Sequence, residues 1–475
     1  MLKTKYQNLS IYLLLLVSLY FIFFQQLDRT PLRNYDEAFY AVNACEMISN
    51  HNYFVPYYKN APDMIILKPL LSTWLQVLCI KLIGYNELAV RLPSAIAGAF
   101  SALVLFSFIR KRSSLILALS VFFVFITSYG VAGFHTGRTG DTDSLLAFCM
   151  LCSCLSFYKW LFENKGVSLF YFFVFLSLAF LTKSFVALFI APALLIAVLY
   201  FKKTATLFKE KWFYIGALFF VIISSGSLLI RELYNPGYLK YLFEVDFFQR
   251  YTISNELHAE PPDFYFNRFF EVSFLWFMLV LPGAFLMWQN KSTRSLLFFL
   301  SALFFSYFSI ISSSVSKVYW YDLPLYPILS VFSGYAIYIF IIKTNLQYSA
   351  IQAGLMLFFI FAIPYYFKAR DSYKSDYNPA EHKLEILNEF IFKNKSNLQS
   401  LNGVVFYTNY FDRPLYFYKY CFNQQGFDFS ITSSIDNIKP NSTVIVAEDS
   451  LIKVLNAHYK TQVIGQYKSV LKVKI

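Results

Sequence analysis

Apolar residues in this chain gather into long blocks separated by short polar segments. A helix that crosses a bilayer needs about 20 predominantly apolar residues. Blocks of that kind fall at 9–27, 91–109, 114–133, 143–162, 167–182, 184–201, 212–230, 268–288, 295–312, 322–342 and 347–367, which predicts eleven spans. The run 69–83 is shorter, lies between charged stretches and carries Lys81, so it reads as a helix lying at the membrane interface within the first outer loop. Beyond 367 the pattern changes to an amphipathic run at 380–392 and β-like runs at 403–408, 443–448 and 469–475, predicting a small α/β domain over 368–475. The fold class is therefore mostly α and polytopic, with a membrane domain over 1–367 and a C-terminal α/β domain outside the membrane.

Composition fixes the class. The chain is 57% hydrophobic and only 15% charged, whereas soluble proteins carry about a quarter charged residues. Its mean hydropathy of +0.49 agrees. The net charge of +13 does not indicate nucleic acid, because the basic residues form short clusters between apolar runs rather than one stripe. With the N-terminus inside, those clusters (Lys3/Lys5, Arg110-Lys111-Arg112, Lys159/Lys165, Lys202-Lys203, Lys291/Arg294 and Lys343) all fall on the cytoplasmic side. A small-residue cleavage site does not follow the first apolar run, so that run reads as an uncleaved anchor. Cys149, Cys152 and Cys154 have no histidine or carboxylate near them in sequence and read as packing residues of a helix.

The same topology places every loop with unusual polar residues on the outer side: 28–90, 134–142, 231–267 and 313–321, with the turn at Thr182-Lys183-Ser184. In 28–90, Asp36 and Glu37 are adjacent carboxylates just past a membrane helix, a costly placement that marks a functional candidate. They could act on an acceptor hydroxyl or on charge developing at a sugar, or simply begin a helix and complement its dipole. In Arg138-Thr139-Gly140-Asp141-Thr142-Asp143, two aspartates at i and i+2 could hold a metal, hold a pyrophosphate through one, or cap the next helix. Mg²⁺ or Mn²⁺ at Asp141 and Asp143 is the divalent cation this allows; there is no His/Cys arrangement that names zinc. Lys68, Arg138, Lys183, Arg250, His258 and Lys317 are candidate phosphate ligands. Each alone is equally a snorkelling cation or half of an ion pair; gathered on one face they suggest a phosphate-bearing lipid.

The order of motifs resembles a known family. Tyr35-Asp36-Glu37-Ala38-Phe39-Tyr40, then Lys68-Pro69-Leu70 with Trp74, Gly84-Tyr85-Asn86-Glu87 and Arg91-Leu92-Pro93-Ser94 come first. Arg138–Asp143, Leu181-Thr182-Lys183, Gln249-Arg250-Tyr251 with His258-Ala259-Glu260-Pro261, and Tyr321-Asp322-Leu323-Pro324 follow. Over roughly 9–370 this resembles the membrane glycosyltransferases typified by protein O-mannosyltransferases, and within them the bacterial aminoarabinose lipid A transferases. The resemblance implies a GT-C fold, with up to thirteen spans in that class. It also implies a polyprenyl-phosphate sugar donor, with undecaprenyl phosphate as the carrier, and transfer at the outer face of the inner membrane to lipid A, another glycolipid, a polysaccharide or a protein. It makes Asp36 the catalytic carboxylate with Glu37 beside it, Lys68 and Lys183 ligands of phosphate or sugar, and Tyr319 or Tyr321 a phosphate contact. One position departs: aminoarabinose transferases often have an acidic residue before the Lys-Pro pair, joining a metal site with a histidine, where this chain has Leu67. The alternative reading is a transporter for a lipid-linked sugar, without chemistry. Inverted halves with broken helices would mark it, and none is legible.

Overall fold

The computed structural model describes residues 2–133, 135–249, 259–344, 348–372, 379–409 and 412–475. Among them, seven helices are long and apolar enough to cross a membrane: Glu87–Arg112, Asp143–Glu163, Val167–Tyr200, Lys211–Tyr234, Arg294–Ser313, Tyr319–Lys343 and Ala350–Phe367. Three shorter apolar helices, Asn8–Phe24, Leu71–Ile83 and Leu115–Ile126, accompany them. Over their described residues the eleven predicted blocks are mostly helical, but several are interrupted, each for a local reason.

The block 268–288 is two helices, Phe264–Phe277 and Val280–Gln289. Pro282 has no N–H for the carbonyl four residues back, so the ladder breaks at that turn. The block 114–133 stops at Ile126. There the hydroxyls of Thr127 and Ser128 donate back to the carbonyls of Phe123 (2.6 Å) and Val124 (2.8 Å), competing with the helix ladder. In Val167–Tyr200 the break is sharper. Ser184 has φ +47°, and a 3₁₀ stretch Ser184–Ile190 follows before the helix resumes at Ala191–Tyr200.

The chain divides into two compact units. The first comprises 1–25, 64–72 and 93–369; the second comprises 26–63, 73–92 and 370–475. Composition placed the division at 367/368. The structure moves it by two residues and adds most of the first polar loop to the second unit.

In the first unit the apolar helices pack on one another, Asp143–Glu163 against Val167–Lys183 and Val280–Gln289 against Tyr326–Lys343. Gly283 permits the second contact: a Cβ there would sit 1.8 Å from the carbonyl oxygen of Phe332. Small residues at such crossings allow close backbone approach between membrane helices.

The second unit holds a hairpin, β1 (Tyr57–Tyr58) with β2 (Ala61–Pro62), and a five-stranded sheet. The sheet strands are β3 (Val405–Tyr407), β4 (Ser430–Thr432), β5 (Thr443–Val446), β6 (Gln462–Tyr467) and β7 (Val470–Lys474), in the order β4-β3-β5-β7-β6. β4, β3 and β5 are parallel, joined through the helix Arg413–Asn423 and the turn Ile435–Asn437; β7 and β6 close the edge antiparallel. Val405, Val444, Val446 and Val473 of the sheet meet Leu451 and Leu455 of the helix Asp449–His458 in one core. Strands rich in valine and isoleucine suit a half-buried pleated surface. The predicted α/β character is what forms.

The first polar loop is built into this unit by buried polar contacts. Arg413 reaches Asp63 with both terminal nitrogens (2.6 and 3.2 Å), and Asn43 donates to Asp63 (3.0 Å) and to the carbonyl of Tyr57 (2.8 Å). Leu32 N–H donates to the Tyr418 hydroxyl (2.9 Å), and Asn388 donates to Asn34 (2.9 Å). Glu46 accepts the N–H groups of Lys59 (2.8 Å) and Asn60 (3.0 Å) at the hairpin; burial nevertheless pushes its carboxyl above the ordinary range.

Candidate functional site

The first unit concentrates buried charge where four separate segments meet. Asp143 opens the helix Asp143–Glu163, where a carboxylate complements the positive end of the helix dipole. Lys183 closes the helix Val167–Lys183. The Lys183 ammonium donates to Asp143 Oδ1 at 2.5 Å and lies 4.5 Å from the centre of the Tyr321 ring. Lys68 is close enough for its charge to act on Asp143 as well. Two ammoniums therefore act on one carboxylate in a site shielded from water, where charge is expensive unless matched. Tyr307, on the helix Arg294–Ser313, lies within the field of Asp143 and Tyr321 and is a neighbour that sequence reasoning missed.

Lys68 is placed by its backbone. Arg231 donates to the carbonyl of Ile66 (2.8 Å) and Tyr238 to that of Leu67 (2.8 Å), with the Arg231 guanidinium 4.6 Å above the Tyr238 ring. The Leu67 side chain, standing where the resembling family often has an acid, is buried against Tyr238 and Leu242. An apolar side chain fits that packing. Neither Arg231 nor Tyr238 was singled out from sequence, because their partners are carbonyls 165 and 171 residues away.

Asp141 faces a different partner. Its Oδ1 is 3.0 Å from Nδ1 of His135, whose ring stacks on Trp320 at 3.7 Å, and its carbonyl accepts from Ser94 Oγ (2.6 Å). The two aspartates of the 138–143 motif thus do separate work. Of the residues named for a divalent cation, Asp141 with His135 could supply an oxygen and a nitrogen donor; the near oxygen of Asp143 is taken by the Lys183 ammonium.

In the second unit, Asp36 and Glu37 begin the helix Asp36–Ser49 after Tyr35, which has φ +65°. Glu37 is fully buried. It accepts from the Arg33 N–H (2.8 Å) and from Arg91 Nε (2.7 Å) and Nη2 (3.0 Å). Arg91 also donates to the carbonyls of Leu27 (2.9 Å), Thr30 (3.0 Å) and Pro31 (2.8 Å). A bidentate guanidinium–carboxylate pair at the centre of such a network fixes backbone geometry. Asp36, the neighbour, is half-buried.

The remaining candidates go elsewhere. Arg138 donates to the carbonyls of Ile22 (3.0 Å) and Gln25 (2.7 Å), satisfying the end of the first apolar helix. Lys317 donates to the carbonyl of Glu260 (2.8 Å). Tyr319 is half-exposed beneath the Arg268 guanidinium, 4.6 Å from its ring centre, and Arg268 pairs with buried Asp322 (3.1 Å). Arg250 and His258 lie outside the described residues.

Helical spans with the charged cluster at a helix end, together with an α/β unit, define a class: this is a polytopic membrane protein. The particular likenesses follow. The family profile of dolichyl-phosphate-mannose-protein mannosyltransferases matches residues 67–230. The undecaprenyl phosphate-alpha-4-amino-4-deoxy-L-arabinose arabinosyl transferase of Aeromonas hydrophila is 27% identical over 325 residues, 66% of this chain and 58% of that protein. Transferase 1 of that name from Proteus mirabilis is 29% identical over 69% of this chain and 58% of its own length. The chain thus spans less than two thirds of the curated relatives it matches. The crystal structure of ArnT from Cupriavidus metallidurans bound to undecaprenyl phosphate superposes with a TM-score of 0.73, covering 98% of this chain and 97% of that one at 15% identity. The resemblance read from the motifs is upheld, and the fold is shared throughout.

Proposed function

We propose that this protein transfers a sugar from a polyprenyl-phosphate carrier, undecaprenyl phosphate being the carrier in the matched relatives' names, to an acceptor on the outer face of the inner membrane. Lipid A, another glycolipid, a polysaccharide or a protein fits the acceptor role. The observation that carries this reading is the buried pairing of Lys183 with Asp143 beside Lys68 and Tyr321. Cations held where water is excluded stabilise phosphate charge far better than cations in solvent. Lys68 and Lys183 would hold the donor phosphate and take up the charge that grows on it as the bond from sugar carbon to phosphate oxygen breaks. Asp36 would accept the proton of the attacking acceptor hydroxyl. Glu37, saturated by Arg91 and the Arg33 N–H, would position Asp36 rather than react.

The test is release of polyprenyl phosphate by purified protein given donor and acceptor in detergent. General-base contributions are typically about 10²–10⁴-fold, so Asp36→Asn at unchanged expression and insertion should slow release by about that factor. Undiminished release by the variant removes Asp36 from the reaction, and no release by wild type removes transfer altogether. Repeating the assay after EDTA, with Mg²⁺ or Mn²⁺ restored, reads whether Asp141 and His135 serve a divalent cation.

A further inference from the structure

The far end of the same helix bundle carries a second charged feature. Between the helices Glu87–Arg112, Asp143–Glu163 and Val167–Lys183 runs a groove of about 790 Å³. Its walls divide by chemistry. One part is apolar and aromatic, with Phe100, Val104, Tyr171 and Phe175; the other is basic, with Lys111, Arg112, Lys159 and Lys165. Among the described residues Glu163 is the one carboxylate lining it, and it is already occupied, ion-paired to Arg112 and bonded to Lys165 at 2.8 Å. Three positive charges remain in excess. Lys159 lies in the fields of Arg112, Lys111 and Lys165 with Glu163 as the opposing charge, so an anion entering the groove would relieve like-charge repulsion.

Snorkelling is the plainer account of basic residues at helix ends. It explains side chains that splay into water. It does not explain a groove that runs up among the helices from the charged rim, lined also by the hydroxyl-bearing Ser107, Ser156 and Ser168. A polar, cationic rim continuous with an apolar channel between membrane helices is the form in which lipid headgroups are held. The position selects the lipid. Asp143 and Glu163 are the two ends of one 21-residue helix, which at about 1.5 Å per residue spans about 30 Å, a hydrocarbon thickness. The groove therefore opens to the leaflet opposite the Lys183–Asp143 cluster.

We infer that this groove binds an anionic glycerophospholipid of that opposite leaflet, its phosphate between Lys111, Lys159 and Lys165 and an acyl chain along Phe100, Val104 and Phe175. Nothing in this site requires the transfer reaction, so binding is measured without donor or acceptor. Purified full-length protein in detergent is titrated with phosphatidylglycerol, and retained lipid is counted by native mass spectrometry. Wild type should retain one phosphatidylglycerol in preference to phosphatidylcholine. Lys111→Gln/Lys159→Gln/Lys165→Gln should bind it at least tenfold more weakly, while the corresponding triple arginine variant keeps it. Ser107→Phe, which fills the groove and leaves every charge in place, should lose it too and serves if the glutamine variant does not fold. The site is overturned if the glutamine and phenylalanine variants bind like wild type, if phosphatidylcholine binds equally, or if glycerophosphoglycerol without chains binds as tightly as the lipid.

Discussion

Lys183 interrupts a stretch of 34 residues that is otherwise helical and apolar, and its cost there is met by Asp143 at 2.5 Å. Removing one partner of a buried pair leaves the other charge uncompensated, at about 3–5 kcal/mol, whereas replacing both by apolar groups can be neutral. Lys183→Met should therefore lower thermal stability sharply, and Lys183→Met/Asp143→Leu should recover most of it without recovering donor binding. Melting curves of the three proteins in one detergent, alongside a donor-binding titration, check both halves; a double variant as unstable as the single would mean that the pair is not the origin of the cost. The sequence marks Lys183 as anomalous because hydropathy is a local sum. It leaves open whether the ammonium snorkels or pairs, since its partner lies 40 residues upstream. Leu67 shows the same limit: its identity departs from the family pattern, but the Tyr238–Leu242 contact that accommodates it is visible only in the fold.

At the scale of elements, the helix Asp36–Ser49 starts where it does because of a contact outside it. Acidic residues at a helix start suit the dipole, and from the residues alone that role is as open as catalysis. The structure separates the two residues. Glu37 is held by Arg91, 54 residues away, and Arg91 simultaneously gathers the carbonyls of Leu27, Thr30 and Pro31. Lysine cannot reproduce that fork of donors. Arg91→Lys should thus loosen the segment 27–37 nearly as much as Arg91→Ala, visible as faster hydrogen exchange of those amides by at least tenfold, with the sheet amides of β3 and β5 unchanged. Exchange equal to wild type in Arg91→Lys would show that a single charge suffices. Interruptions elsewhere were partly legible: Pro282 announces its break, while the stop at Thr127-Ser128 depends on hydroxyls choosing backbone acceptors.

Across the whole molecule, the C-terminal sheet is secured to the helix Pro379–Asn394 through Glu389. Burial would raise its carboxyl, but bonds from Lys468 (2.6 Å) and Tyr467 (3.0 Å), with Lys393 at 2.9 Å, outweigh it and hold the group at about 2, below the ordinary 4.5. A depressed carboxyl binds fewer protons folded than unfolded, so its contribution is present above pH 4.5 and fades as pH falls toward 2. The difference in melting temperature between wild type and Glu389→Gln should be constant from pH 8 to 5 and vanish between pH 4.5 and 2; a difference independent of pH would rule out the charge as its source.

The sequence by itself determined that this is a polytopic membrane protein, where its apolar helices lie, that an α/β region follows them, and which charged side chains are costly where they stand. Those properties are sums and periods over neighbouring residues, and each segment carries its own. Only the tertiary structure decided that Asp143 answers Lys183 while Asp141 faces His135, that Glu37 is committed to Arg91, that Arg138 serves a helix end, and that the first polar loop packs with residues 370–475 through Asp63 and Arg413. Each of those outcomes joins residues from separate segments, and which charge meets which is set by helix packing and loop closure, not by any run of the chain read alone.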